Sequence, residues 1–275
     1  MKLFWSFCLI CFLFFCSGNP SASAGELDRR LENFPQWEKL TSVQPAVGDL
    51  IYPEWMKGEW EVKSTLVDLV APLAPEIITP GFENNRQYLN QPVNFKVRFI
   101  NQKTSYQKTP LSGLNSPQML LKIISHRKNK STAVIADRAY NGLNLARAIL
   151  GNDTVKAVKV DPNSPNRQIT FLKGDRQLVS IVKSRATETT ADGRFIATEV
   201  FQQLFKGSYR PYLNSVESTT AYSKLSTLST SNPAIEGNQV TAVYLSSQDP
   251  DFFKAANKPV ALYRYKLEFF RTFNE

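Results

Sequence analysis

The sequence predicts a mainly β protein built on an antiparallel barrel. Three features predict it. Beyond Gly58 the side chains alternate, with Trp60, Val62, Ser64 and Leu66 on one face and Glu59, Glu61, Lys63 and Thr65 on the other, the period-two pattern of a half-buried strand. Segments rich in Val, Ile, Thr, Tyr and Phe then recur at short intervals, punctuated by Gly174-Asp175, Asp192-Gly193 and Gly237-Asn238, which is hairpin chemistry. Near the end, Tyr263, Tyr265, Leu267 and Phe269 share one strand face against Arg264, Lys266 and Glu268.

The chain has 275 residues and opens with Lys2, an apolar run over 3–16 and the small-residue site Ala22-x-Ala24. That is the pattern of a secretory signal peptide cleaved after Ala24, too short for a comfortable membrane span. A lipoprotein site at Cys16 is the rival reading, disfavoured by the bulky Phe15 before it. Cys8, Cys11 and Cys16 all fall inside this segment, so the exported chain has no disulfide, no cysteine-ligated metal and no thiol nucleophile.

Residues 25–51 form a lead-in with a short amphipathic stretch (Leu27, Leu31, Phe34) interrupted by Pro35 and Pro45, expected to pack outside the domain proper, which spans 52–275. The first strand gives way to an apolar, proline-rich connection over 70–82. Its prolines forbid regular structure, and it suits either a lid over the barrel mouth or a loop packed on the barrel side. Strands are then expected at 93–101, 118–126, 132–136, 155–161, 168–173, 178–185, 195–205, 216–225, 239–246 and 260–270, more than a minimal barrel needs. One helix interrupts them, with Asp137 as N-cap, Tyr140, Leu143 and Leu150 at helical spacing, and Gly151 as terminator. Asp249-Pro250-Asp251 starts a second, short helical turn.

Gly58-Glu59-Trp60 resembles the Gly-x-Trp that opens the first barrel strand of lipocalin-like (calycin) proteins. The resemblance implies a lipocalin-like barrel whose end is shut by an arginine from the end of the chain lying on the tryptophan. Arg271 continues the parity of Tyr263 to Phe269 and is the expected partner of Trp60, with Arg264 as runner-up.

No G-x-S-x-G elbow, P-loop, G-x-G-x-x-G or H-E-x-x-H occurs, and neither a cofactor nor a metal site is expected. The one histidine, His126, sits in a basic turn and reads as solvated rather than as a base. Glu199 and Glu217 lie on adjacent strands and either could face inward, so a carboxylate-dependent hydrolase stays open as a minor reading. The aromatic face fits an apolar ligand in a wide barrel or a filled core in a narrow one, giving Trp60, Tyr263, Tyr265, Phe269, Glu199 and Glu217 as candidate ligand-contacting residues. The formal charge of +9, which becomes +8 once Lys2 leaves with the signal, reads first as solubility and otherwise suits an anionic membrane or protein surface. Scattered basic residues and export argue against nucleic acid.

Three stretches, 134–142, 166–170 and 244–251 leading to 259–265, resemble an uncharacterised domain-of-unknown-function family of cyanobacteria and plant chloroplasts. The resemblance spans about 52–271 and implies the thylakoid lumen or periplasm of a photosynthetic organism. It implies no reaction. The expected function is that of an exported, non-enzymatic barrel that binds a small apolar ligand of lipid or pigment type or assists assembly in the photosynthetic membrane compartment. The alternative is a solid-core protein–protein assembly factor.

Overall fold

Tyr52 touches Phe99 on one side (ring centroids 4.8 Å apart) and Phe195 and Tyr222 on the other (5.8 and 6.3 Å). Those partners stand on strands far apart in one sheet, so the sheet must curl to bring them together. In the computed structural model, residues 25–79, 81–102, 133–207, 211–226 and 231–272 are described. The expected signal segment and the whole of the strand expected at 118–126, His126 included, lie outside them.

The strands are β1 (Gln44–Pro45), β2 (Ile51–Tyr52), β3 (Gly58–Val70), β4 (Pro92–Asn101), β5 (Val134–Ala136), β6 (Val155–Asp161), β7 (Ser164–Leu172), β8 (Gln177–Thr189), β9 (Phe195–Lys206), β10 (Tyr212–Lys224), β11 (Ile235–Leu245) and β12 (Ala261–Arg271). The helices are α1 (Glu26–Glu32), α2 (Phe82–Asn85), α3 (Arg138–Leu150) and α4 (Phe252–Ala255). The spatial order is β2-β5-β4-β3-β12-β11-β10-β9-β8-β7-β6, antiparallel throughout. β6 to β12 form an unbroken meander, and β12 then pairs with β3 so that Arg271 stands opposite Trp60.

The sheet is a curled half-barrel. Its open seam lies between the β2/β5 edge and β6, where the chain inserts α3 rather than another strand. Asp137 caps that helix by accepting from the Tyr140 N–H (3.1 Å), and Gly151 ends it at φ 85°, a left-handed backbone that glycine adopts at little cost. The lead-in crosses the same seam. β1 pairs with β8 at Ser184 and Arg185, and β2, only a few residues on, pairs with β5. The first strand of the sheet, at Gln44, thus lies within the lead-in.

Further upstream, α1 lies across the convex face. Leu27, Leu31, Trp37 and Leu40 bury against Ile196, Ala221, Val240, Ala242 and Leu262. The proline-rich connection serves the other side. Ile77 and Phe82 are each 4 % exposed and pack over Leu245, Val260 and Ala261 at one end of the concave face. Gly237-Asn238, expected as a turn, lies inside β11. A Cβ at Gly237 would come 3.1 Å from Leu267, so the glycine there permits close approach of β12 rather than a reversal.

Candidate functional site on the inner wall

Parity along each strand decides which side chains line the hollow. The inner face carries Trp60 and Val62 on β3, Tyr263, Tyr265, Leu267 and Phe269 on β12, Gln239 and Thr241 on β11, Ser218 and Tyr222 on β10, and Ala197, Glu199 and Phe201 on β9.

One end of this wall is solid. Trp60 is 3 % exposed and Phe269 4 %, and both pack among Met56, Val97, Phe99 and Ile235. Gly58, at φ 125°, supplies the bend that starts β3, and the Trp60 Nε1–H donates to the Met56 carbonyl (2.8 Å). The Arg271 guanidinium stands over the indole, its carbon 5.6 Å from the ring centroid. Of the residues expected to contact a ligand, Trp60 and Phe269 thus belong to the packed floor. The opposite end is covered by the proline-rich connection, where Phe82 meets the Tyr263 ring at 5.8 Å.

Between these ends the wall is mixed: Leu66, Val216, Thr220 and Leu267 are buried, whereas a stripe beside them keeps partial exposure. Tyr263, Tyr265, Gln239, Thr241, Ser218 and Phe201 are all half-buried. Gln239 Nε2 donates to Ser218 Oγ (2.6 Å), and Asn85 donates to the Tyr263 hydroxyl (3.0 Å). Burial raises the Tyr265 hydroxyl to about 12, so it stays protonated as a donor at neutral pH.

Glu199 also faces inward, at the seam. It binds Arg138 of α3 (2.6 Å) and Arg185 of β8 (3.1 Å), while Asp49 lies 3.9 Å from Arg138. Arg185 further donates to the Gly48 carbonyl (3.0 Å) and to Asn166. Burial works against the charge of both arginines. For Arg138, Glu199 outweighs burial and raises the group; for Arg185, burial prevails and lowers it. This cluster ties α3, the lead-in, β7, β8 and β9 across a seam that has no continuous ladder among the described residues.

Glu217 occupies the opposite parity and lies on the convex face, its side chain 1 % exposed and paired with Arg30 of α1 at 2.7 Å. Tyr244 donates to its other oxygen (3.1 Å). Glu199 and Glu217 therefore sit on opposite faces of the sheet, and the pair that a two-carboxylate hydrolase requires is not assembled. An open cleft of about 540 Å³ also lies on the convex side beside α1, edged by Asp28, Glu32, Asp68, Arg194, Arg264 and Lys266. Its charges largely neutralise one another, Asp28 holding Arg194 at 2.7 Å and Glu236 holding Lys266 at 3.6 Å. Among the described residues no group of three or more His, Cys, Asp or Glu is placed to hold a metal ion.

A family model described as a domain of unknown function, DUF6816, matches residues 44–273. The chain belongs to the DUF6816 family. The matched span starts at β1 and ends just beyond β12, so the DUF6816 unit coincides with the curled sheet and leaves α1 outside. No curated protein and no solved structure matches the chain.

The inner-wall residues that sequence reasoning passed over are Gln239, Thr241 and Ser218. The available signal was parity with Ile235 and Tyr222, but short polar side chains in a strand read first as solvent-facing. Arg138 and Arg185 were passed over because their partners come from distant elements.

Proposed function

We propose that this DUF6816 protein is a non-enzymatic binding protein that holds a small, largely apolar ligand of lipid or pigment type against the inner wall of its half-barrel. One observation carries the reading: both ends of the concave face are closed by packed side chains, whereas the stretch between them keeps tyrosines and a phenylalanine half-buried. Burying apolar surface contributes roughly 25 cal/mol per Å², so a stripe of partly covered rings is a surface that gains by being covered.

We place the protein outside the cytoplasm, in the thylakoid lumen or periplasm of a photosynthetic organism. Support comes from the apolar run and Ala22-x-Ala24 of the first 24 residues and from the stretches at 134–142, 166–170 and 244–251 that resemble a family of cyanobacteria and chloroplasts. Its basic charge suits a working position near an anionic membrane or protein surface.

A second reading, an assembly factor that docks a partner protein, draws on Ile78 and Phe253. They stand 82 % and 88 % exposed at the end of the sheet covered by the proline-rich connection.

The test is to purify the protein from its own host and identify co-purifying small molecules by native mass spectrometry and solvent extraction. A bound molecule that is lost in Tyr265→Ala and kept in Phe253→Ser supports the inner wall. A ligand-free protein that captures a partner through Phe253 sinks the binding reading in favour of the assembly one.

A further inference from the structure

We infer that the ligand of the inner wall carries a neutral, hydroxyl-rich group, a glycosyl unit, between the tyrosines of β12 and the amide and hydroxyl side chains of β10 and β11. This rests on the reading of the inner wall as a binding surface and says what chemistry that surface selects.

Charge is the first discriminator. The inward positions of β11 from Ile235 to Leu245 and of β10 from Tyr212 to Tyr222 carry no carboxylate or cation, and Lys224, the next inward position of β10, stands exposed opposite Ile235 at the packed end of the wall. Glu199, opposite Ser218 on β9, is held by Arg138 and Arg185. An ionic headgroup set on β10 and β11 would be taken out of water with no counter-charge, which is costly. The wall also disfavours a purely apolar occupant. Gln239, Thr241 and Ser218 are half-buried, and covering them with hydrocarbon would strand their polar atoms.

Hydrogen-bonding capacity is the second. Ser218 accepts from Gln239, and Tyr263 accepts from Asn85, so each hydroxyl keeps its own proton to donate. Farther along the same face, beyond Val216 at the end covered by the proline-rich connection, Asn214 is 7 % exposed and its Oδ1 has no hydrogen-bond partner. A buried acceptor left without a donor is uncommon and asks for one. A polyol supplies donors and acceptors at close spacing and presents C–H faces that pack on rings such as Tyr265, and this combination meets every feature of the stripe.

The test titrates the protein, by calorimetry, with octyl β-glucoside below its micelle-forming concentration, octanoate, octanol and glucose. Octyl β-glucoside should bind at least about tenfold tighter than octanoate or octanol. Gln239→Leu and Ser218→Ala, each checked for an unchanged melting profile, should erase that preference while leaving octanol binding as it was. Glucose binding as tightly as the glucoside would assign the site to a free sugar, and glucoside alone to a glycolipid. Octanol or octanoate matching the glucoside, or Gln239→Leu leaving glucoside affinity intact, overturns the glycosyl assignment while sparing the inner-wall reading. No binding by any of the four overturns both.

Discussion

Arg271 faces Trp60 across the pairing of β12 with β3, its guanidinium carbon 5.6 Å from the indole centroid. The contact joins the last strand to the first long one, at the packed end of the inner wall. An arginine over an indole at a partly exposed site contributes about 0.5–1 kcal/mol, so Arg271→Lys should lower the melting temperature only slightly. Trp60→Phe removes buried volume and the bond to the Met56 carbonyl together and should cost more, about 2–4 kcal/mol by urea unfolding. Equal losses in the two variants would contradict this ordering.

The Arg30–Glu217 pair predicts a larger and non-additive effect. Glu217 is sealed between α1 and the sheet, so Arg30→Met leaves a buried carboxylate without its cation and should cost about 3–5 kcal/mol. Adding Glu217→Gln to that variant should recover part of the loss. A double variant no better than the single one would show that α1 is held by its leucines alone.

Alkaline pH should unfold the protein through its tyrosines. Burial raises Tyr222 and Tyr265 to about 12, and Tyr52 and Tyr244 also lie above the ordinary value, in each case through burial first. The unfolded chain releases these protons near pH 10 and the folded chain keeps them. Their contribution is therefore complete below about pH 10 and is lost as pH rises toward the folded values, at roughly 1.4 kcal/mol per unit for each tyrosine. Tyr265→Phe should make the fall in stability between pH 10 and 12 shallower, and an unchanged slope in denaturant melts would refute this.

Helix α3 should be the first element to open. None of its residues is fully buried, and its ties are polar: Arg138 to Glu199, Arg98 to Asp137 (2.7 Å), and Asn141 exchanging bonds with the Arg98 backbone. Arg138→Met should speed amide exchange along α3 at least about tenfold while β9 to β12 keep their protection. Uniform loss of protection throughout the sheet would instead make the seam cluster part of the global core.

Much of this fold could be read from the chain. The alternation after Gly58, the Tyr263 to Phe269 face and the Asp137 to Gly151 helix are local patterns, and local patterns survive into the structure when nothing distant overrides them. The inward side of β9 and β10 was ambiguous because Glu199 and Glu217 each sit among residues compatible with either face, and only pairing shows that Val200 stands opposite Glu217. Gly237-Asn238 carries turn chemistry, yet close approach of Leu267 put the pair inside a strand. The seam was hidden for a related reason. Arg138, Arg185, Asp49 and Asn166 meet only after the sheet has curled, and no spacing along the chain announces it.

The pairing of β12 with β3 constrains the order of events as the protein is made. β3 ends at Val70 and its neighbour starts at Ala261, so during synthesis one ladder edge of β3 waits until the distant β12 has been made. Closing so large a loop is slow. The meander from β6 onward can assemble while it grows, but the two halves of the sheet become one only when the last strand arrives. Until then β3 shows an unpaired edge with Trp60, Val62 and Leu66 beside it, a surface that invites aggregation. Truncation by a single C-terminal strand should therefore abolish soluble protein rather than shorten it.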